Sequence, residues 1–76
     1  MSRLPVMKGR EVISVLNRVG FRELRRSKGS HVQLGDDNGR RVTVPDHGSA
    51  DICCGLMQKI IQGTGMTKEE FLSYTN

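Results

Sequence analysis

Histidine is the side chain that exchanges a proton most readily near neutral pH, and the chain has two, His31 and His47. Arg26, Lys28, Ser30 and Gln33 surround the first, and Arg41 and Thr43 come shortly before the second. An imidazole beside fixed cations can move a proton while the cations stabilise the charge developing on a phosphorane. Ribonucleic acid suits such a group, because its own 2′-hydroxyl attacks the adjacent phosphate once a base removes the proton. DNA lacks that hydroxyl. The chemistry needs no metal, and the sequence holds neither the carboxylate cluster of a two-metal nuclease nor a His/Cys pair at a recognised ligand spacing. No metal and no small-molecule cofactor are therefore expected. On pattern alone an outward histidine on a strand is usually plain surface, so the elements that carry it decide the matter.

Val12, Val15, Leu16 and Val19 recur at i, i+3, i+4 and i+7, which predicts an amphipathic helix from Gly9 to Val19 with Ile13 widening the stripe. Gly20 is placed to end it in the left-handed conformation, with Phe21 folding back on the last turn. Phe21–Ser27 reads as an arginine-heavy strand of poor period. In 30–34, Val32 and Leu34 point one way and His31 and Gln33 the other. Residues 40–44 repeat the pattern, with Val42 and Val44 inward and Arg41 and Thr43 outward. A two-residue turn at Asn38-Gly39 would split the four apolar residues between faces. A three-residue loop with Gly39 left-handed, or a five-residue loop, keeps them together. Either of these puts His31, Gln33, Arg41 and Thr43 on one outer face. Pro45 ends the strand, and a loop over 46–51 carries His47.

A second helix is expected from near Gly55, burying Met57, Ile60 and Ile61 and closed by Gly63 and Gly65. Thr67-Lys68-Glu69-Glu70 fits a capping box that opens a short terminal helix burying Phe71, with Leu72 and Tyr74 beside it. The fold class is α+β, in the order α-β-β-β-α, with a three-stranded antiparallel sheet and helices on one face. Residues 1–76 form a single domain, with 1–7 as a flexible tail.

Seventy-six residues of which 36% are apolar and 26% charged make one small globular unit, with too little core for a buried cofactor. No apolar run is long enough to span a membrane and no segment reads as a secretory signal, so the expected address is the cytoplasm. The net charge is +4, from twelve Lys and Arg against eight Asp and Glu. It is lopsided: residues 1–41 hold ten bases and four acids, residues 42–76 two bases and four acids. Eight of the bases are Arg, whose planar fork suits phosphate, and such a footprint points to a polyanion. The adjacent Cys53 and Cys54 suit neither a mutual disulfide nor a zinc knuckle, and are expected as a small buried apolar pair.

Gly9-Arg10-Glu11-Val12-Ile13, Leu16, Gly20-Phe21 and Gly29-Ser30-His31 together resemble the HicA (YcfA-like) toxins. The resemblance continues through Arg41-Val42-Thr43-Val44-Pro45-Asp46-His47, Gly55, Ile60-Ile61 and Gly65-Met66-Thr67 to Glu70-Phe71, covering about Leu4 to Leu72. It implies a double-stranded-RNA-binding-domain-like fold and a messenger RNA endonuclease of a type II toxin–antitoxin pair, silenced by a HicB antitoxin over the active face. The family's single catalytic histidine, in Gly-Ser-His, falls on His31. Arg26, Lys28, Ser30, Gln33, Arg41, Thr43 and His47 are then candidate RNA contacts. His47 is suited to RNA binding, proton transfer or holding its loop. This chain departs from the family in Gly55-Leu56-Met57, where Gly-Thr-Leu is common, in Cys53-Cys54, and in Thr64, where Ala is typical.

Two other classes of function compete. One is a non-catalytic RNA-binding module that reads A-form shape; RNA protected without fragments would favour it. The other is a regulatory element acting on DNA with a helix in a groove, which a second helix whose only charge is Lys59 opposes.

Overall fold

The structure, a computed structural model, describes residues 4–27 and 30–75. The valine stripe does form a helix, α1 (Gly9–Val19), burying Gly9, Val12, Val15 and Leu16. The Lys8 backbone N–H donates to Glu11 Oε1 at 2.8 Å. A lysine side chain has no acceptor with which to complete a reciprocal box. Gly20 ends the helix at φ +118° and donates its N–H to the carbonyls of Leu16 and Asn17. Phe21, 1% exposed, follows the helix and lies outside the strand expected to include it.

Three strands come next: β2 (Arg22–Arg26), β3 (His31–Gly35) and β4 (Arg41–Pro45), hydrogen-bonded in that order and antiparallel. Val32 pairs with Val44 and Leu34 with Val42, so all four face the core and are buried. This is the register of the three-residue loop. Asp36 organises the loop, its N–H donating to the Arg40 carbonyl at 3.1 Å and its Oδ1 accepting from the N–H groups of Asn38 and Arg40. Gly39 takes the left-handed position at φ +83°.

The pairing of β2 with β3 has an irregularity between Glu23 and Arg25 that leaves Leu24 unpaired. Leu24, half exposed, lies over Gly35: a Cβ on Gly35 would sit 2.8 Å from Leu24 Cδ1. All five residues of β2 are exposed, as suits a sheet edge.

The chain buries Ile52 in a two-residue strand, β5 (Asp51–Ile52), which pairs antiparallel with β1 (Met7–Lys8). Met7, assigned above to a flexible tail, is therefore a buried strand residue, and Leu4 packs against the core. Helix α2 (Cys54–Thr64) buries Met57, Ile60, Ile61 and Thr64. Gly63 does not close it but lies inside it, where a Cβ would come within 2.7 Å of Val42 Cγ1; the helix rests on β4 there. Gly65 is the cap. The buried Thr64 hydroxyl donates to the Ile61 carbonyl and accepts from the Met66 N–H, so this departure from the family leaves no unmet polar group.

The expectation of a buried cysteine pair is corrected. Cys53 and Cys54 are free and exposed, because Ile52 fills the apolar position at that end, while Cys53 serves as N-cap without a side-chain bond. Helix α3 (Lys68–Ser73) starts on the expected box: Glu70 N–H donates to Thr67 Oγ1, and Thr67 N–H to Glu70 Oε1. It buries Phe71, while Leu72 is half-buried and Tyr74 stays largely exposed.

The core is thus one layer between the inner sheet face and the helices. Each large apolar side chain in it contributes about 1.5–3 kcal/mol. The architecture is α+β of the double-stranded-RNA-binding-domain type, with one sheet face left open.

Candidate nucleic-acid interface

His31 heads β3 on the open face and is exposed. Its backbone is held from both sides. The Ser30 carbonyl accepts the Asp46 N–H at 2.8 Å, and the His31 carbonyl accepts the Ser27 N–H at 2.9 Å and its hydroxyl at 3.3 Å. Ser30 itself has φ +76°, uncommon for a residue with a Cβ. Pairing of His31 with Pro45 sets the next turn of chain, and His47 with it, beside the strand. The two imidazole centroids are 5.7 Å apart, with the rings at 87°, edge to face. Among the described residues neither ring has a hydrogen-bond or ion-pair partner, so neither is consumed in holding the fold.

Around His31 a shallow depression of about 210 Å³ is lined by Arg25, Ser27, Gln33 and Thr43. Its volume falls below the roughly 300–1,000 Å³ of small-molecule pockets, which suits a segment of polymer better than an enclosed metabolite. Gln33 and Thr43 stand directly opposite each other on β3 and β4, and Arg41 continues the same side of β4 next to Gly35.

Arg26 is not in this group. Continuous alternation along β2 would put it opposite His31, but the unpaired Leu24 shifts the phase. Arg25 then faces Gln33 and Arg26 faces Val32. The Arg26 guanidinium lies between Asp46 Oδ2 at 3.3 Å and Glu23 Oε1 at 3.4 Å. The Asp46 hydrogen bond, seconded by Glu23, holds it above the ordinary arginine range. Arg26 is a bracing residue for the Asp46 loop, and Arg25 takes the place on the open face. No feature of the local sequence marks that bulge. Lys28 lies outside the described residues.

The arginines thus divide. Arg22 pairs with Asp37, Arg26 with Glu23 and Asp46, and Arg40 with Asp36. Arg25 and Arg41 have no carboxylate partner among the described residues, and both stand on the face that carries the histidines. The Arg25 fork can bind a phosphodiester beside two imidazoles that have no hydrogen-bond partner among the described residues, and the imidazoles can exchange protons with it. Among the described residues no three or more His, Cys, Asp and Glu side chains gather to hold a metal ion, and no helix is long and apolar enough to cross a membrane.

No curated protein matches the chain. The model of the HicA toxin family of bacterial toxin–antitoxin systems matches residues 9–66, from the glycine that opens α1 to the residue after the cap of α2, and so takes in β3 with His31, β4 and the loop bearing His47. On that match the chain belongs to the HicA toxins, and is the toxin of a pair whose other member is a cognate antitoxin.

Proposed function

We propose that this toxin is a metal-independent endoribonuclease that cuts messenger RNA in the cytoplasm, with His31 as its catalytic group. The observation that carries the reading is an exposed imidazole fixed by its own backbone in a depression flanked by Arg25, neither side chain having a hydrogen-bond or ion-pair partner among the described residues. His31 removes the proton from a 2′-hydroxyl, whose oxygen attacks the adjacent phosphorus. Arg25 holds the phosphate and offsets the charge that builds on its non-bridging oxygens, and Arg41, four residues from His31 along the ladder, meets a neighbouring phosphate. Gln33 and Thr43 supply polar contacts at the ribose, and Ser30 and Lys28 are further candidate RNA contacts. The nucleophile is supplied by the substrate, so no metal is required. The antitoxin is HicB-like and silences the toxin by covering this open face.

The test compares wild type with His31→Ala on RNA in excess chelator. Wild type should cleave. The variant should keep its unfolding midpoint and its RNA affinity while cleavage falls by about 10²–10⁴-fold, the usual worth of a positioned acid or base. RNA protected but uncut by wild type would instead identify a binding module of the same fold. Dependence on added magnesium, or full-rate cleavage by His31→Ala, would refute the scheme.

A further inference from the structure

Transesterification of RNA needs two proton transfers, and His31 alone accounts for one. As the 2′-oxygen bonds to phosphorus, the P–O5′ bond breaks, and the departing alkoxide must take up a proton. Resting on the proposed ribonuclease reading, and going beyond the single histidine that the family resemblance implies, we infer that His47 is a second catalytic residue and supplies that proton as general acid. Its ring lies 5.7 Å from that of His31, edge to face. Two imidazoles so spaced can each come within the ~2.6–3.2 Å hydrogen-bond reach of an oxygen on the same phosphodiester.

Three observations favour catalysis over a role in the loop. His47 is exposed. Its imidazole has no hydrogen-bond partner among the described residues, so it does not pin the loop. The loop is held instead by the Asp46 N–H on the Ser30 carbonyl, the Ala50 N–H on the His47 carbonyl at 3.3 Å, and the Asp46 carboxylate on Arg26. Asp46 is a positioning residue, because it ties the loop to the residue before His31 and, through Arg26, to β2.

The division of labour follows from placement. His31 lines the depression with Gln33 and Thr43, which can grip a ribose, so it is the base. His47 lies beside His31 but is not in that lining, which leaves it the departing 5′-oxygen. The step balances within protein and substrate. The 2′-hydroxyl proton passes to the His31 imidazole, the O2′–P bond forms and the P–O5′ bond breaks. O5′ receives a proton from the His47 imidazolium, leaving a 2′,3′-cyclic phosphate and a 5′-hydroxyl. The two rings end with each other's protonation states, and solvent resets them.

The test uses an RNA oligonucleotide containing a linkage that wild type cuts, and the same oligonucleotide with sulfur replacing that 5′-bridging oxygen. A thiolate leaves without a proton, so it bypasses the acid and not the base. His47→Ala should lose about 10²–10⁴-fold on the oxygen substrate and recover to within about tenfold of wild type on the sulfur substrate. His31→Ala should be slow on both. RNA affinity and the unfolding midpoint of His47→Ala should match wild type, and His47→Gln serves if the alanine variant is poorly folded. Wild-type rates from His47→Ala on the oxygen substrate, equal losses on both substrates, or rescue of His31→Ala instead would overturn the inference. If wild type cuts no RNA from which such a linkage can be chosen, it is the ribonuclease reading that fails.

Discussion

Three glycines in helices make a graded test of how α1 and α2 are seated. Gly9 opens α1 against the end of β4, and a Cβ there would stand 2.2 Å from the Pro45 carbonyl oxygen and 2.8 Å from Asp46 Cα. An ordinary carbon–oxygen approach is about 3.3 Å, so Gly9→Ala is short of room by about 1 Å. Both obstructing atoms are backbone, and Asp46 is bonded onward to Ser30, so no rotamer change relieves the clash. Overpacking of this kind costs about 1–3 kcal/mol, and the lack of any yielding neighbour puts Gly9→Ala at the upper end. A domain of this size has only ~3–5 kcal/mol in hand, so the variant should be close to unfolded, its midpoint down by about 12–24 °C at ~4–8 °C per kcal/mol. At Gly63 the obstacle is a side chain, Val42 Cγ1 at 2.7 Å. There the crowding is partly offset by alanine's helix propensity, about 1 kcal/mol better than glycine, so Gly63→Ala should fall within about 1 kcal/mol of wild type. Nothing lies within 4 Å of a Cβ at Gly55, and Gly55→Ala should stabilise by about 0.5–1 kcal/mol. Urea titrations and thermal melts followed by far-ultraviolet circular dichroism give all three. A Gly9→Ala protein with the wild-type midpoint, or one more stable than Gly55→Ala, would refute the packing argument.

Other substitutions probe single features. Cys53 holds the extended N-cap geometry with no side-chain bond and no acid in the first turn of α2, so Cys53→Asp should raise stability by about 1 kcal/mol, seen as a higher thermal midpoint. Thr67→Ala removes the acceptor for the Glu70 N–H and should lose about 1 kcal/mol in the same assay; an unchanged midpoint would mean the box is idle. At Ser30, with φ +76°, glycine should be tolerated, while a β-branched valine should cost about 1–3 kcal/mol by urea unfolding and slow any cleavage dependent on His31.

Much of this architecture can be read from local pattern. The stripe of Val12, Val15 and Leu16 with Gly20 behind it is unambiguous because helix periodicity and its cap agree. The β3–β4 register follows from keeping Val32, Leu34, Val42 and Val44 on one side. That same register already implies the meeting of the two imidazoles: once His31 faces Pro45, His47 is two residues further along the chain on the adjacent strand's exit. The exchange of Arg25 for Arg26 is illegible, since one unpaired leucine reverses the phase of everything after it and no residue type compels a bulge. Gly63 reads as a helix end because glycine usually breaks helices, and only the approach of Val42 explains it inside one. The Met7–Ile52 pairing joins two residues against two across more than forty positions, too short for a periodic signal. The cysteines read as core from their type alone, and Ile52 was the better competitor for that place.

The small pairing of Met7–Lys8 with Asp51–Ile52 acts as a clasp. Everything that makes up the open face, from β2 to the loop of His47, lies on the length of chain that it closes. Removing residues up to Lys8 would therefore not trim a loose end but unbuckle the strap that ties the entrance of α1 to the entrance of α2. A cut placed after Lys8 opens that buckle while leaving every residue of the open face in the chain.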